Sequence, residues 1–294
     1  MKRGWINWDQ TELPRTAFDA RLAAARRPDL PAVVVYTDIW RSNRVRHFSN
    51  FMPYWNRAFL VIPRDEPPTL LCGLSPRVYP WIRSVTILEN ILPSPSLTGR
   101  LLQLCSERGW TRIGALDFTR FPHDLHSSLT GIEVVDLSLE IPPDDAELAM
   151  HRHAAEMARG ILAEEVPNGV GRSDHEFTGR LERRFRRAGA EDLVILLTIG
   201  ATPPLPPRGV TLSGNFSISL ALEYRGHWVK VVRTAAGQVQ PLPAGAYKET
   251  LAGPYPYESG TGPLFAARWE MANQGSRVFY GDTYRATPAG AELL

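Results

Sequence analysis

Residues 216–223, FSISLALE, alternate without a break: Phe216, Ile218, Leu220 and Leu222 fall on one side of an extended chain, Ser217, Ser219, Ala221 and Glu223 on the other. That period of two defines a half-buried β-strand, because successive side chains leave opposite faces of the pleat. Tyr224-Arg225-Gly226 reads as a turn, and Trp228 to Val232 (WVKVV) returns as the partner strand, with Trp228, Lys230 and Val232 on one side. The expected sheet has one apolar face that must be covered and one more polar face that carries a lysine.

The rest of the chain divides around this hairpin. TAFDARLAAARR, Thr16 to Arg27, places Phe18, Leu22 and Ala25 at helical spacing and stops at Pro28. Ala32 to Tyr36, Ala58 to Ile62 and Thr69 to Cys72 are short apolar runs bounded by Pro, Asp or Gly and read as strands. A helix from Leu97 to Arg108 ends at Gly109, and strands follow at Arg112 to Asp117 and Ile132 to Asp136. Alternating helices and strands imply a mixed α/β domain over residues 1–140. EIPPDD, Glu140 to Asp145, is the expected linker to a second domain, residues 141–294. DDAE (Asp144 to Glu147) and SDHE (Ser173 to Glu176) have the spacing of capping boxes that open two successive helices, ending near Glu165 and Gly189.

Length and composition fit two packed cores: 294 residues, 44% of them hydrophobic. With 33 basic and 31 acidic residues the chain carries no charge excess that would recruit nucleic acid or a membrane surface. The arginines at 183, 184, 186 and 187 read as the solvated face of a helix whose apolar stripe includes Leu181 and Phe185. Cys72 and Cys105 lie in no ligand or nucleophile motif and read as buried thiols of a reducing compartment. No apolar leader follows the basic N-terminus and no long apolar run occurs, so a cytoplasmic location is expected.

Four segments, in order, resemble the creatinase/prolidase/aminopeptidase P family. They are DIWRSNRVRHFSNF (Asp38 to Phe51), PPDDAELAMHRHAAEMARGIL (Pro142 to Leu162) with GVGRSDHEF (Gly169 to Phe177), SGNFSISLALEYRGHWVKVVRT (Ser213 to Thr234), and the tail RVFYGDTYRATPAGAELL (Arg277 to Leu294). The resemblance implies a two-domain α/β and α+β architecture, a creatinase-type N-terminal domain followed by a shortened pita-bread domain, for only 60 residues follow Thr234.

The resemblance also implies a pair of divalent cations held by two Asp, one His and two Glu, and this sequence departs from that set. Ser219 and Lys230 stand where the two aspartates are expected, and a hydroxyl is a poor ligand while an ammonium repels a cation. The closing Glu-Asp-Thr reads Gly281-Asp282-Thr283, and no His follows His227. The metal-free creatinase mechanism does not transfer either, because Thr202 to Val210 contains no His to act as base. Neither a metal nor a cofactor is expected. His151 and His153 diverge on their helix, His123 and His126 fall in an irregular loop, and His227 points away from Lys230.

Lys230, Ser219 and Glu270 are the candidate catalytic residues. Lys230 could activate Ser219 as a nucleophile, bind a substrate carboxylate or pair with Glu270, or merely neutralise Glu270 in a filled cleft. Trp228, Arg233, Phe51, Tyr54 and Trp55 are candidate substrate-binding residues. By resemblance the last three reach the partner's cleft in a homodimer, and dimer-interface or core packing explains them equally. Two functions follow: a metal-independent C–N hydrolase or lyase acting on a small amide, guanidino or amino-acid-like molecule, or an inactive relative serving as a binding or scaffolding module.

Overall fold

The computed structural model describes residues 14–294 apart from positions 40, 42, 52, 54–55, 139–141, 201, 236–239, 242–245, 252, 254–261 and 274–275. Tyr54 and Trp55 lie outside the described residues. The chain divides into two compact units, one of Trp8–Ile141 and the other built on Pro142–Leu294.

The first unit runs α1 (Arg15–Ala25), β1 (Ala32–Thr37), α2 (Asn43–Ser49), β2 (Ala58–Pro63), β3 (Thr69–Cys72), α3 (Tyr79–Val85), β4 (Asn90–Pro93), α4 (Leu97–Glu107), β5 (Arg112–Leu116), α5 (His123–Ser128) and β6 (Glu133–Leu137). Its mixed sheet has the order β4-β3-β2-β1-β5-β6. Every residue of β1, β2 and β3 is buried, as expected where helices cover both faces. Val33, Val35, Leu60 and Ile62 pack with Leu22, Val45, Phe48 and Ile82 on one side. Val34, Phe59 and Val61 pack with Leu101, Leu104 and Leu125 on the other. His123 opens a helical turn instead of an irregular loop, and His126 stacks on Phe118 with ring centroids 4.3 Å apart.

The second unit opens with α6 (Asp145–Glu165) and α7 (Asp174–Ala188) and continues as strands: β7 (Asp192–Ile199), β8 (Phe216–Tyr224), β9 (His227–Thr234), β10 (Gln240–Pro241), β11 (Tyr247–Thr250), β12 (Leu264–Asn273), β13 (Ser276–Thr287) and β14 (Gly290–Leu293). No helix follows Ala188 among the described residues. The antiparallel sheet has the order β10-β12-β13-β9-β8-β7, with β11 also on β12 and β14 on β13. Asp144 caps α6 by accepting from the Glu147 amide at 2.8 Å. The second expected box does not form. Ser173 makes no capping bond, and the Asp174 carboxylate instead accepts from the Arg208 and Gly209 amides at 2.7 and 2.8 Å.

The alternation in 216–223 is realised. Phe216, Ile218, Leu220 and Leu222, with Val229 and Val231, pack against Leu148, Ala155, Leu162, Phe177 and Leu181 of the two helices. The turn between β8 and β9 contains Arg225 at φ 52° and Gly226 at φ 84°, a two-residue loop with both centres left-handed, which matches the twist of the strands it joins. Gly226 donates to Glu191 at 3.0 Å, pinning the loop and fixing where His227 begins the return strand.

Candidate active site

On β8 and β9, Ser219 is opposite Val232 and Ala221 is opposite Lys230, so Ser219 and Lys230 share the face turned away from the α6 and α7 core. The lysine is 5% exposed, and its main chain is gripped by Thr283, whose hydroxyl accepts from the Lys230 amide and donates to the Lys230 carbonyl, both at 2.9 Å. One hydroxyl thus stands in for a rung of strand pairing between β9 and β13.

The carboxylate facing Lys230 is Glu249 of β11, at 3.6 Å from Nζ. Glu249 also meets Arg268 of β12 at 3.6 Å, and the three side chains are 6–8% exposed. Arg268 lies over the rings of Tyr247 and Phe279, 5.8 and 5.0 Å from their centroids. Two cations therefore surround one carboxylate in a largely dry setting. The hydroxyls of Ser219 and Thr198, on the same face, are buried without a hydrogen-bond partner.

Several sequence expectations change here. Glu270 does not meet Lys230: Arg277 binds it through two bonds, one to Oε1 and one to Oε2 at 2.7 Å. This pairing, against a smaller opposing effect of burial, holds the Glu270 carboxyl below its usual range. Ser219 makes no hydrogen bond to Lys230, so the pair is not arranged as nucleophile and base. Arg233 emerges on the opposite face, donating to both oxygens of Asp282 at 3.0 and 3.1 Å. Trp228 shares the Lys230 side of β9 and is 7% exposed. Phe51 is fully buried in the first unit's core, which makes it a packing residue.

The donors present do not fit the dinuclear cation site implied by the resemblance. An ammonium at 230 and a guanidinium at 268 repel divalent ions, and Ser219 offers one weak ligand. Nor could Gly281 be a glutamate, since a Cβ there would lie 2.6 Å from the Ala267 carbonyl and 3.1 Å from the Arg268 Cα. The strand that carries Arg268 fills that space.

Sequence reasoning missed a second cluster, on the helix-facing side. Glu147 and His151 stand one turn apart on α6, and His227 meets them from the hairpin, with one ligand atom from each residue within 4.8 Å of the others. His227 Nδ1 lies 3.7 Å from Glu147 Oε1, and the two imidazole centroids are 4.9 Å apart. The spacing of Glu147 and His151 was legible as one helix face, but nothing in the sequence joined it to His227.

The architecture, a mixed α/β unit followed by two helices on one face of an antiparallel sheet, is the pita-bread arrangement. Among solved structures the chain is similar to the X-Pro aminopeptidase from Thermotoga maritima MSB8, at TM-score 0.71 and 12% identity over 94% of this chain and 96% of that one. It is also similar to the prolidase from Pyrococcus horikoshii OT3, at TM-score 0.69 and 12% identity over 95% and 97%, and to the Xaa-Pro dipeptidase from Bacillus anthracis, at TM-score 0.67 and 15% identity over 95% and 94%. At such identities the likeness establishes the fold. No protein-family model and no curated protein matches the chain.

Proposed function

We propose that this chain is a divergent member of the creatinase/prolidase/aminopeptidase P family that binds, and acts on, a small amide, guanidino or amino-acid-like molecule without a metal ion. The observation that carries this reading is a pair of buried cations on the polar sheet face: Lys230 and Arg268 both meet the carboxylate of Glu249. A ligand carboxylate entering there would meet two cations where little water screens them. The guanidinium of Arg268 offers a planar fork for such a group, and Ser219 offers a buried hydroxyl. The same cations would stabilise the oxyanion that develops when an amide C–N bond is hydrolysed. A homodimer, as the resemblance implies, belongs to this reading and is tested by light scattering on the purified chain.

One observation favours the alternative, an inactive binding or scaffolding module. Glu249 already bridges both cations, and Ser219 is not aligned on Lys230. Calorimetric titration with N-acyl amino acids and guanidino acids, in the presence of EDTA, separates the two. The proposed reading expects saturable binding, weakened at least tenfold in Lys230→Met, with amine or urea release from one of the ligands bound. Failure of the whole panel to bind, or equal affinity in Lys230→Met, leaves the scaffolding reading.

A further inference from the structure

The Glu147–His151–His227 cluster is chemically unlike the face just described, since it lies on the other side of the sheet and consists of metal-ligating groups. His151 is 4% exposed, and its Nδ1 has no hydrogen-bond partner. The ring also bonds to the Trp228 backbone. With Nδ1 unpartnered, that bond falls to Nε2, which leaves Nδ1 as the nitrogen available to a ligand. A ligating histidine commonly has this arrangement, one nitrogen anchored on a backbone carbonyl and the other presented to the metal. A lone pair buried without a partner otherwise costs stability, so this one calls for an occupant.

The remaining two ligands are positioned independently of each other. Glu147 sits one turn before His151 on α6, near the Asp144 cap that fixes the start of the helix. His227 is placed by the left-handed Arg225-Gly226 turn and is directly opposite Tyr224 in the hairpin. Both are partly exposed, with side chains at 19% and 13%, so an ion can reach them from solvent. Two imidazoles and one carboxylate form a borderline donor set suited to zinc-class ions more than to magnesium or calcium. In a tetrahedral zinc site ligand atoms lie about 3.3 Å apart, against a span of up to 4.8 Å here.

We propose that Glu147, His151 and His227 form a mononuclear site for a divalent ion of the zinc class, which fastens the first turns of α6 to the β8–β9 hairpin. The ion would clasp the hairpin from its helix side, with Lys230 on the other.

The test is titration of the full chain, stripped with EDTA, with zinc chloride by calorimetry and thermal unfolding, and with cobalt(II) chloride by visible absorption. One equivalent of zinc should bind and raise the unfolding midpoint by several degrees, and cobalt should give the intense bands of a tetrahedral site. His227→Ala and Glu147→Gln, at partly exposed positions, should each weaken zinc binding at least tenfold while keeping the circular dichroism of the parent. Lys230→Met should leave zinc affinity unchanged, which separates this site from the ligand-binding proposal. Zinc affinity unaltered in His227→Ala, the loss of affinity in Lys230→Met instead, or no stoichiometric binding at all would overturn the assignment.

Discussion

The two sheets of this molecule handle charge in opposite ways. In the described part of the first unit, Arg21 is the one charged side chain that is buried, and it donates to the His47 carbonyl at 2.8 Å. In the second unit Glu165, Asp174, Lys230, Glu249, Arg268 and Asp282 are all buried. Helices cover both faces of the first sheet, so its strands can be apolar at every position. The second sheet presents one face to α6 and α7; Lys230, Glu249 and Arg268 gather on the other face, while Asp282 meets Arg233 and Arg159 on the helix side. Buried charge is expensive and is retained mainly where it meets a ligand or a specific partner, so the candidate sites of this chain lie in the second unit.

The largest expected effect comes from removing the shared anion. Glu249→Gln removes the buried carboxylate that Lys230 and Arg268 both meet and should destabilise the second unit by about 3–5 kcal/mol in urea unfolding. Replacing all three by apolar residues, Lys230→Met with Glu249→Leu and Arg268→Met, should restore stability to near the parent value. If Glu249→Gln is neutral, the charges are already compensated and the contrast between the sheets loses its energetic basis. In the first unit the matching test is a cavity. Leu60→Ala, at a fully buried position, should cost about 3 kcal/mol through lost packing, with no dependence on salt.

Acid should act chiefly on the second unit, with a smaller effect. Burial opposes ionisation of Glu165 and Asp174, but the arginines at 184 and 180 and the amides at 208 and 209 outweigh it, and both carboxyls are held below their usual range. Glu270 is lowered in the same sense by Arg277. A lowered folded pKa stabilises at pH above the ordinary values of 3.8 and 4.5, and the gain is lost as pH falls through the folded values. Unfolding followed across pH 5 to 2 should therefore show this unit losing stability as the pH falls below the ordinary carboxylate range and through the folded values.

How much of this was legible depended on whether the information was local. The alternation of 216–223, the Asp144 cap and the end of α7 at Gly189 follow from neighbours in sequence, and the structure forms all three. The position of Lys230 on the polar face followed from the same period of two. Its partner did not, because β11 is a four-residue strand whose register against β12 brings Glu249 beside Ala266 and leaves Glu270 to Arg277. The Glu147–His151–His227 cluster was hidden for the same reason: two of its members are four apart on one helix, and docking of that helix on the hairpin supplies the third. Tertiary pairings of this kind carry no periodic trace.

The smallest expected effect tests whether the two units are energetically separate. Cys72 and Cys105 lie on opposite faces of the first sheet, both buried, and burial pushes both thiols up, Cys105 to about 11. A thiol reagent attacks the thiolate, so labelling in native buffer should be limited by opening of the first unit. If the charges of the second sheet serve only that sheet, Glu249→Gln should leave the labelling rate of both cysteines within about twofold of the parent, even as its own unit weakens. A rate that rises in step with the lost stability would mean that the units unfold as one. The apolar sheet would then owe part of its stability to the charged one.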